Sequence, residues 1–358
     1  MTAARLRPIP TEPQPEDSGQ TVTEALVNLV AHRIQPGGSV LDAPECVESV
    51  WGVGHRCMWA RGEPFVLVGP DGTGKTSIAQ QLVIHMVGVR AGPFLGMNVS
   101  PPAGRVLYVA ADRPTQALRS FRRMVTEDDR EKLDDRLVIW RGPLPFDLGR
   151  EPMGLLELAR RVEAGAVVID SLKDCASDLV KDEGGQGINR ALQHAVAEGV
   201  DLCLLHHQRK AQAGGTKPNS ISDVYGSRWL TAGAGSVAMV WGQAGDPVVE
   251  LTHLKQPDEV VGPLEVVHDH VAGVSRVEDH VDAAALLRGA ANGLSAAGCA
   301  YLLCKIPPGE QPSRNQIERA RRQLERLTKE GRAHRHDGSK GGDATLYFAV
   351  DTRHQEAG

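Results

Sequence analysis

Apolar residues fall into short, nearly unbroken runs separated by longer stretches with helical spacing. The runs cover residues 65–68, 106–110, 137–140, 166–169, 202–205 and 237–241. Several are almost pure Val, Ile and Leu, as parallel strands buried on both faces require. Their alternation with helical patterns predicts an α/β fold built on a doubly wound, mainly parallel sheet. Residues 248–254 and 264–267 follow with no room for a helix between them, which predicts an antiparallel extension of that sheet.

The ends of the chain read differently. Residues 1–20 are rich in Pro, Glu and Thr without any period, as expected of a disordered tail. Val22, Ala25, Leu26, Leu29 and Val30 have the spacing of a short helix over 21–33. Residues 39–60 hold Trp51 and Trp59 around glycine turns and predict small strands that lead into the core. Past residue 281 come two helical patterns, 282–291 and 295–304, and a polar turn over 307–312. Ser313 then caps a basic helix that runs to about Glu330. Strand-like stretches 332–336 and 345–350 flank Asp337-Gly-Ser-Lys-Gly-Gly-Asp343, a glycine-tipped hairpin. Helix, helix, basic helix and hairpin is the order of a small winged helix. The expected organisation is a tail over 1–20, a core domain over 21–278, a winged-helix-like domain over 281–350 and a tail over 351–358.

The first strand run opens the most specific motif. Phe65-Val-Leu-Val-Gly-Pro-Asp-Gly-Thr-Gly-Lys-Thr-Ser77 reads as strand, glycine-rich loop and helix start, and Gly69 to Thr76 fits G-x-x-x-x-G-K-[ST] at every position. Such a loop turns backbone N–H groups inward around a phosphate, and the helix aims its positive end at the same anion. The cofactor-binding set is therefore Gly69, Pro70, Asp71, Gly72, Thr73, Gly74, Lys75, Thr76 and Ser77. Lys75 is expected on the β- and γ-phosphates and Thr76 on Mg²⁺, which makes ATP and Mg²⁺ the expected ligands.

Three other runs end in chemistry-bearing residues. Ala166-Val-Val-Ile-Asp170-Ser171 places a carboxylate where a P-loop sheet holds its metal, so Asp170 joins Thr76 as a metal candidate. Val106-Leu-Tyr-Val-Ala-Ala-Asp112 offers Asp112 as the base that orients the attacking water. For both acids the alternative is a helix cap, with Pro114 at a helix start in the second case. The run 202–205 leads into His206-His207-Gln-Arg209-Lys210, where either histidine could sense a phosphate, because open α/β sheets bind ligands at strand carboxyl ends. Two long loops are expected after these sites. The one over 173–187 is acidic and glycine-rich; the one over 209–226 carries Arg209, Lys210 and Lys217, charges suited to a phosphate backbone.

Composition narrows the class. The chain has 358 residues, 41% of them hydrophobic, which is enough for a large core or two. A formal net charge of -5 argues against general polyanion binding, so any basic surface must be local. Six cysteines without a CxxC pair suit reduced thiols rather than a disulfide frame or zinc site. With no apolar run of spanning length and no signal-peptide pattern, the expectation is a cytoplasmic protein with no membrane partner.

The order of P-loop, strand-end acid, Asp170-Ser171, His206-His207, Gly226-Ser-Arg228 and antiparallel meander resembles the RecA-like ATPases. Within them it resembles the RepA-type and DnaB-type hexameric helicases, over roughly residues 39–276. The resemblance implies ATP hydrolysis at sites between subunits of a hexamer or filament, with single-stranded DNA in the central channel. It further implies loops facing DNA after the Asp170 and His-His strands, with primase or other replication proteins as further partners. Asp112 stands where that family usually has Glu. Lys255 matches the first residue of a Lys-x-Arg pair that reaches a neighbour's ATP, but Pro257 stands where Arg would be, and Arg228 is the alternative. A replicative-type helicase is the leading expectation; an ATP-switched DNA-binding or loading protein and a recombinase-like filament are the others. In the C-terminal basic helix, Ile317, Ala320, Leu324 and Leu327 form the core stripe, and Arg314, Arg321 and Arg322 lie off it. With Lys340 at the hairpin tip, these complete the nucleic-acid candidates.

Overall fold

The computed structural model describes residues 34–42, 44, 46–208, 220–277, 283–304, 306–307, 309–338 and 344–350, apart from the side chains at 285 and 319. Two compact units divide the chain between Val277 and Glu278. The expected tails, the helix over 21–33, Arg209, Lys210, Lys217 and Lys340 lie outside the described residues.

In the first unit a 3-10 turn (Gly37–Asp42) precedes β1 (Ser49–Val53) and β2 (Arg56–Ala60), followed by β3 (Phe65–Gly69) and α1 (Lys75–Met86). Then come β4 (Asn98–Val99), β5 (Arg105–Ala110), α2 (Pro114–Met124), α3 (Arg130–Arg136) and β6 (Leu137–Arg141). The chain continues through α4 (Gly154–Arg161), β7 (Ala164–Asp170), α5 (Asp182–Ala197) and β8 (Asp201–His207). It closes with α6 (Trp229–Ala232), β9 (Ser236–Trp241), β10 (Val248–Lys255), β11 (Leu264–Asp269) and β12 (Val274–Val277).

One sheet of nine strands, in the order β12-β11-β10-β9-β3-β8-β7-β5-β6, organises the unit. The strands from β9 to β6 pair in parallel, and β10, β11 and β12 add an antiparallel edge. Strand alternation explains why the apolar runs are continuous. Phe65 and Leu67 of β3 face one layer, with Ile78 and Leu82 of α1 and Phe121 of α2. Val66 and Val68 face the other, with Leu155 and Leu156 of α4 and Ile188 and Leu192 of α5. Each such fully buried side chain contributes roughly 1.5–3 kcal/mol.

A second sheet, β2-β1-β4, covers the entrance to β3. Trp59 stacks on Phe65 at 5.9 Å and Trp51 on Phe94 at 5.5 Å. Both indole N–H groups are satisfied, by the carbonyls of Glu63 and Phe94 at 3.0 Å each.

One expectation is corrected. The stretch 173–187 is not a long acidic loop, because α5 begins at Asp182. Its early glycines permit close packing: a Cβ on Gly187 would overlap the Gly149 carbonyl, and one on Gly185 would lie 2.9 Å from Ser227 Cβ.

The second unit holds α7 (Ala283–Gly289), β13 (Leu294–Ser295), α8 (Ala296–Leu303), α9 (Arg314–Lys329), β14 (Ala333–His336) and β15 (Leu346–Ala349). Its antiparallel sheet runs β13-β15-β14. Ser313 and Gln316 form a reciprocal capping box at the start of α9. Ala320, Leu324 and Leu327 join Leu287, Cys299 and Tyr347 in a separate core, with Ile317 at its margin. Among the described residues no helix is long and apolar enough to cross a membrane.

The β2–β3 turn is tied to the start of β8 by Arg61, whose guanidinium reaches Asp201 at 2.5 Å and Glu48 at 2.7 Å. Asp201 is 1% exposed. Burial lifts its carboxyl to about 6, with Arg61 pulling the other way. A carboxylate raised in the folded state adds most stability below its unfolded value of about 4, and that stability is lost as pH rises through about 6. Arg61→Met removes the opposing charge and is expected to cost about 3 kcal/mol at pH 8, and less at pH 5, where Asp201 can hold a proton. Urea unfolding at the two pH values checks this; equal losses would show that the pair carries no such charge.

Candidate functional site

The site grows from the turn between β3 and α1. Gly72 and Gly74 take φ of 76° and 90°, which a side chain would strain. A Cβ on Gly72 would lie 2.8 Å from that of Ala244, and one on Gly74 would overlap the His268 ring. Gly74 is the N-cap of α1, and no side chain caps this helix. The first-turn N–H groups of Lys75, Thr76 and Ser77 are thus left for an anion, reinforced by the helix dipole. Lys75 folds back over the loop, donating to the carbonyls of Gly69 at 2.9 Å and Pro70 at 2.6 Å. Burial lowers its ammonium to about 8, with Asp71 and Asp170 opposing. Two carbonyls are weak partners for a buried cation, and phosphate oxygens in the same cradle are stronger ones.

Parallel pairing brings the carboxyl ends of β3, β8, β7 and β5 to one edge. Gly69 pairs in register with His207, and Ala110 with Asp170. Asp170 Oδ2 accepts from Thr76 Oγ1 at 2.9 Å and from Tyr108 Oη at 2.7 Å. Burial raises its carboxyl, and both hydrogen bonds oppose that shift. Asp170 is therefore not a helix cap; it holds a hydroxyl of the phosphate loop, as an oxygen pair sharing Mg²⁺ would. Among the described residues no cluster of three or more His, Cys, Asp or Glu forms a metal cage. A hydroxyl and a carboxylate beside a phosphate cradle fit Mg²⁺, which keeps several waters and uses few protein ligands.

Asp112 follows β5 and is also no cap, since no side chain caps α2. Its Oδ2 lies 3.6 Å from Arg113 Nε and 3.8 Å from Lys173 Nζ, and it raises the Asp170 carboxyl through space. The two histidines separate. His206 is fully buried, bonds the Tyr225 carbonyl at 2.8 Å, and is lowered to about 4 by burial. His207 turns to the phosphate loop, with Nδ1 3.1 Å from Asp71 Oδ1.

The trans-acting candidates also diverge. Arg228 is exposed and lies 6.0 Å from the ring of Trp229. Lys255 is engaged within its own chain: its ammonium donates to the carbonyls of Thr231 and Ala232, each at 3.2 Å, and of Ala234, closing the end of α6. In the second unit Arg314 is exposed, while Arg321 and Arg322 share Glu318 at 2.9 Å and 3.8 Å. Tyr108 and Lys173 had no place in the motif reading. The polar ring in an otherwise aliphatic strand run was the available signal for Tyr108; Lys173 had none.

The model of the family described as AAA domain matches residues 32–213, just over half of the chain. The chain belongs to the AAA domain family. As a member, it carries a P-loop ATPase domain, whose loop, Thr76 and Asp170 fit ATP with Mg²⁺. Among solved structures it is similar to one described as an "ATPase Domain", with 15% sequence identity, 74% of this chain and 100% of that chain covered, and a TM-score of 0.45. No curated protein matches the chain.

If Asp112 orients the attacking water, Asp112→Asn should leave nucleotide affinity within about threefold while hydrolysis falls roughly 100-fold or more. Fluorescent-nucleotide titration and phosphate release separate the two. Equal loss of binding and hydrolysis would give Asp112 a structural role.

Proposed function

We propose that this AAA-domain ATPase is an oligomeric motor acting on single-stranded DNA, a RecA-like core of the RepA/DnaB helicase type with a winged-helix second unit. The observation that carries the reading is the His207–Asp71 contact at 3.1 Å. It joins the phosphate loop to the end of β8, directly before the sequence that carries Arg209, Lys210 and Lys217. A change at the phosphates thereby reaches the end of β8, next to that basic sequence, the coupling a nucleic-acid motor needs. β8 lies between β3 and β7, so its tip stands between the phosphate loop and Asp170.

In the reaction, Lys75 and the first-turn N–H groups of α1 bind and orient the β- and γ-phosphates. Bound Mg²⁺ would supply charge neutralisation as the terminal phosphoryl group leaves. Thr76 and Asp170 hold its place, with Tyr108 fixing the carboxylate. Asp112 sets the attacking water and takes its proton. Arg228, exposed beside α6, is the better candidate for a charge supplied to a neighbouring subunit, because Lys255 is spent on its own helix end. The winged-helix reading of the second unit rests on the helix order, on β13-β15-β14 and on an exposed face of α9 with Arg314, Arg321 and Arg322.

The ion pairs of Asp112 favour a second reading. A carboxylate engaged by Arg113 and Lys173 is less free to orient a water, which suits an ATP-switched DNA loader that hydrolyses slowly.

Single-stranded DNA should stimulate ATP hydrolysis by the full chain, and a forked duplex should be unwound. Binding should weaken steeply with salt through counterion release, and Arg321→Ala with Arg322→Ala should flatten that slope. Stimulation without unwinding assigns the loader, and a rate indifferent to DNA removes nucleic acid from the account.

A further inference from the structure

His268 of β11 takes no part in the site as described, yet its hydrogen bonds fix which nitrogen carries its proton. The Ser275 backbone N–H donates to Gln81 Oε1 at 2.6 Å, so the other end of that amide is the donor. Gln81 Nε2 donates to Ser275 Oγ at 2.7 Å and to the Ser77 carbonyl at 3.0 Å. Having accepted that bond, the Ser275 hydroxyl has its own proton to give, and His268 Nδ1 is 2.8 Å away. Nδ1 is therefore the acceptor, and in the neutral ring Nε2 bears the hydrogen. Burial lowers the imidazole below its ordinary value, which keeps it neutral near pH 7; the Thr73 backbone is the chief opposing influence.

That N–H is buried with its ring and faces the phosphate loop. His268 is 6% exposed, and a Cβ on Gly74 would lie 2.7 Å from its Cε1 and closer still to Nε2. Among the described residues nothing completes a hydrogen bond to Nε2. A buried donor fixed by a three-residue chain and aimed at the Thr73–Gly74 peptide is costly unless that peptide uses it. In a trans peptide the carbonyl and the N–H point in opposite directions.

We propose that His268 is a positioning residue of the phosphate loop. Its Nε2–H draws the Thr73 carbonyl outward, so that the Gly74 N–H on the same peptide faces the nucleotide phosphates. The chain Gln81–Ser275–His268 makes this setting a property of three elements, α1, β12 and β11. Loop geometry is thereby registered at the antiparallel edge of the sheet. The inference rests on the reading of the loop as a nucleotide site.

The test is steady-state ATP hydrolysis by the full chain, with thermal melting as the check on folding. His268→Phe keeps a ring and removes the donor; His268→Gln places an amide N–H near the position of Nε2. His268→Phe is expected to raise KM for ATP about tenfold with kcat within about twofold, and His268→Gln to return KM to within about threefold of wild type. An unchanged KM in His268→Phe, or equal impairment in both variants, overturns the proposal. If His268→Phe fails to fold, Ser275→Ala, which frees the ring, should raise KM about threefold; no change there overturns it equally. Lys75→Ala in the same assay separates the two readings. If that variant hydrolyses ATP normally, the nucleotide site and this proposal both fall. If it is inactive while His268→Phe behaves as wild type, only the role of His268 falls.

Discussion

An anion held by backbone N–H groups needs main chain with no side chain in the way, and that requirement shapes this fold. Gly72 and Gly74 supply the turn, and Gly74 leaves the start of α1 without a side-chain cap. A bare helix start is unfavourable alone. It is held by β3, buried at every position, and by α1, buried along most of its length. The carboxyl ends of neighbouring parallel strands then bring Asp170, Asp112 and His207 to the same edge without any of them being close in sequence. The phosphate loop is thus the fixed point, and the sheet is the means of gathering charge around it.

Much of this was legible because both signals are local. The strand runs are pure enough that their alternation with helices gave the layering, and G-x-x-x-x-G-K-T names its ligand by spacing. Ser313 announced the start of α9 through a cap that the structure closes with Gln316. The acids just past β5 and at the end of β7 were visible as strand ends, but their competing reading as caps could only be resolved by contacts. Thr76 and Tyr108 on Asp170 do that.

What was hidden depends on partners distant in the chain. Asp182 opens a helix whose first turns hold Gly184, Gly185 and Gly187, residues that read as loop. They are tolerated because Asp178, Ser227 and Gly149 approach Gly184, Gly185 and Gly187 in turn too closely for a Cβ. Lys255 matched a motif by position, yet its ammonium closes the end of α6. His268, Ser275 and Gln81 form one chain of hydrogen bonds only after the antiparallel edge has folded over α1. No spacing rule reports such a contact, since residues 81 and 275 are 194 apart.

The most direct measurement of the account is steady-state ATP hydrolysis by the purified full chain and by Lys75→Ala, each with Mg²⁺ and with excess chelator. The account predicts Mg²⁺-dependent hydrolysis in the natural chain and a fall of roughly 100-fold or more in Lys75→Ala. Hydrolysis within about twofold of the natural chain in that variant, or a rate indifferent to chelator, would contradict it.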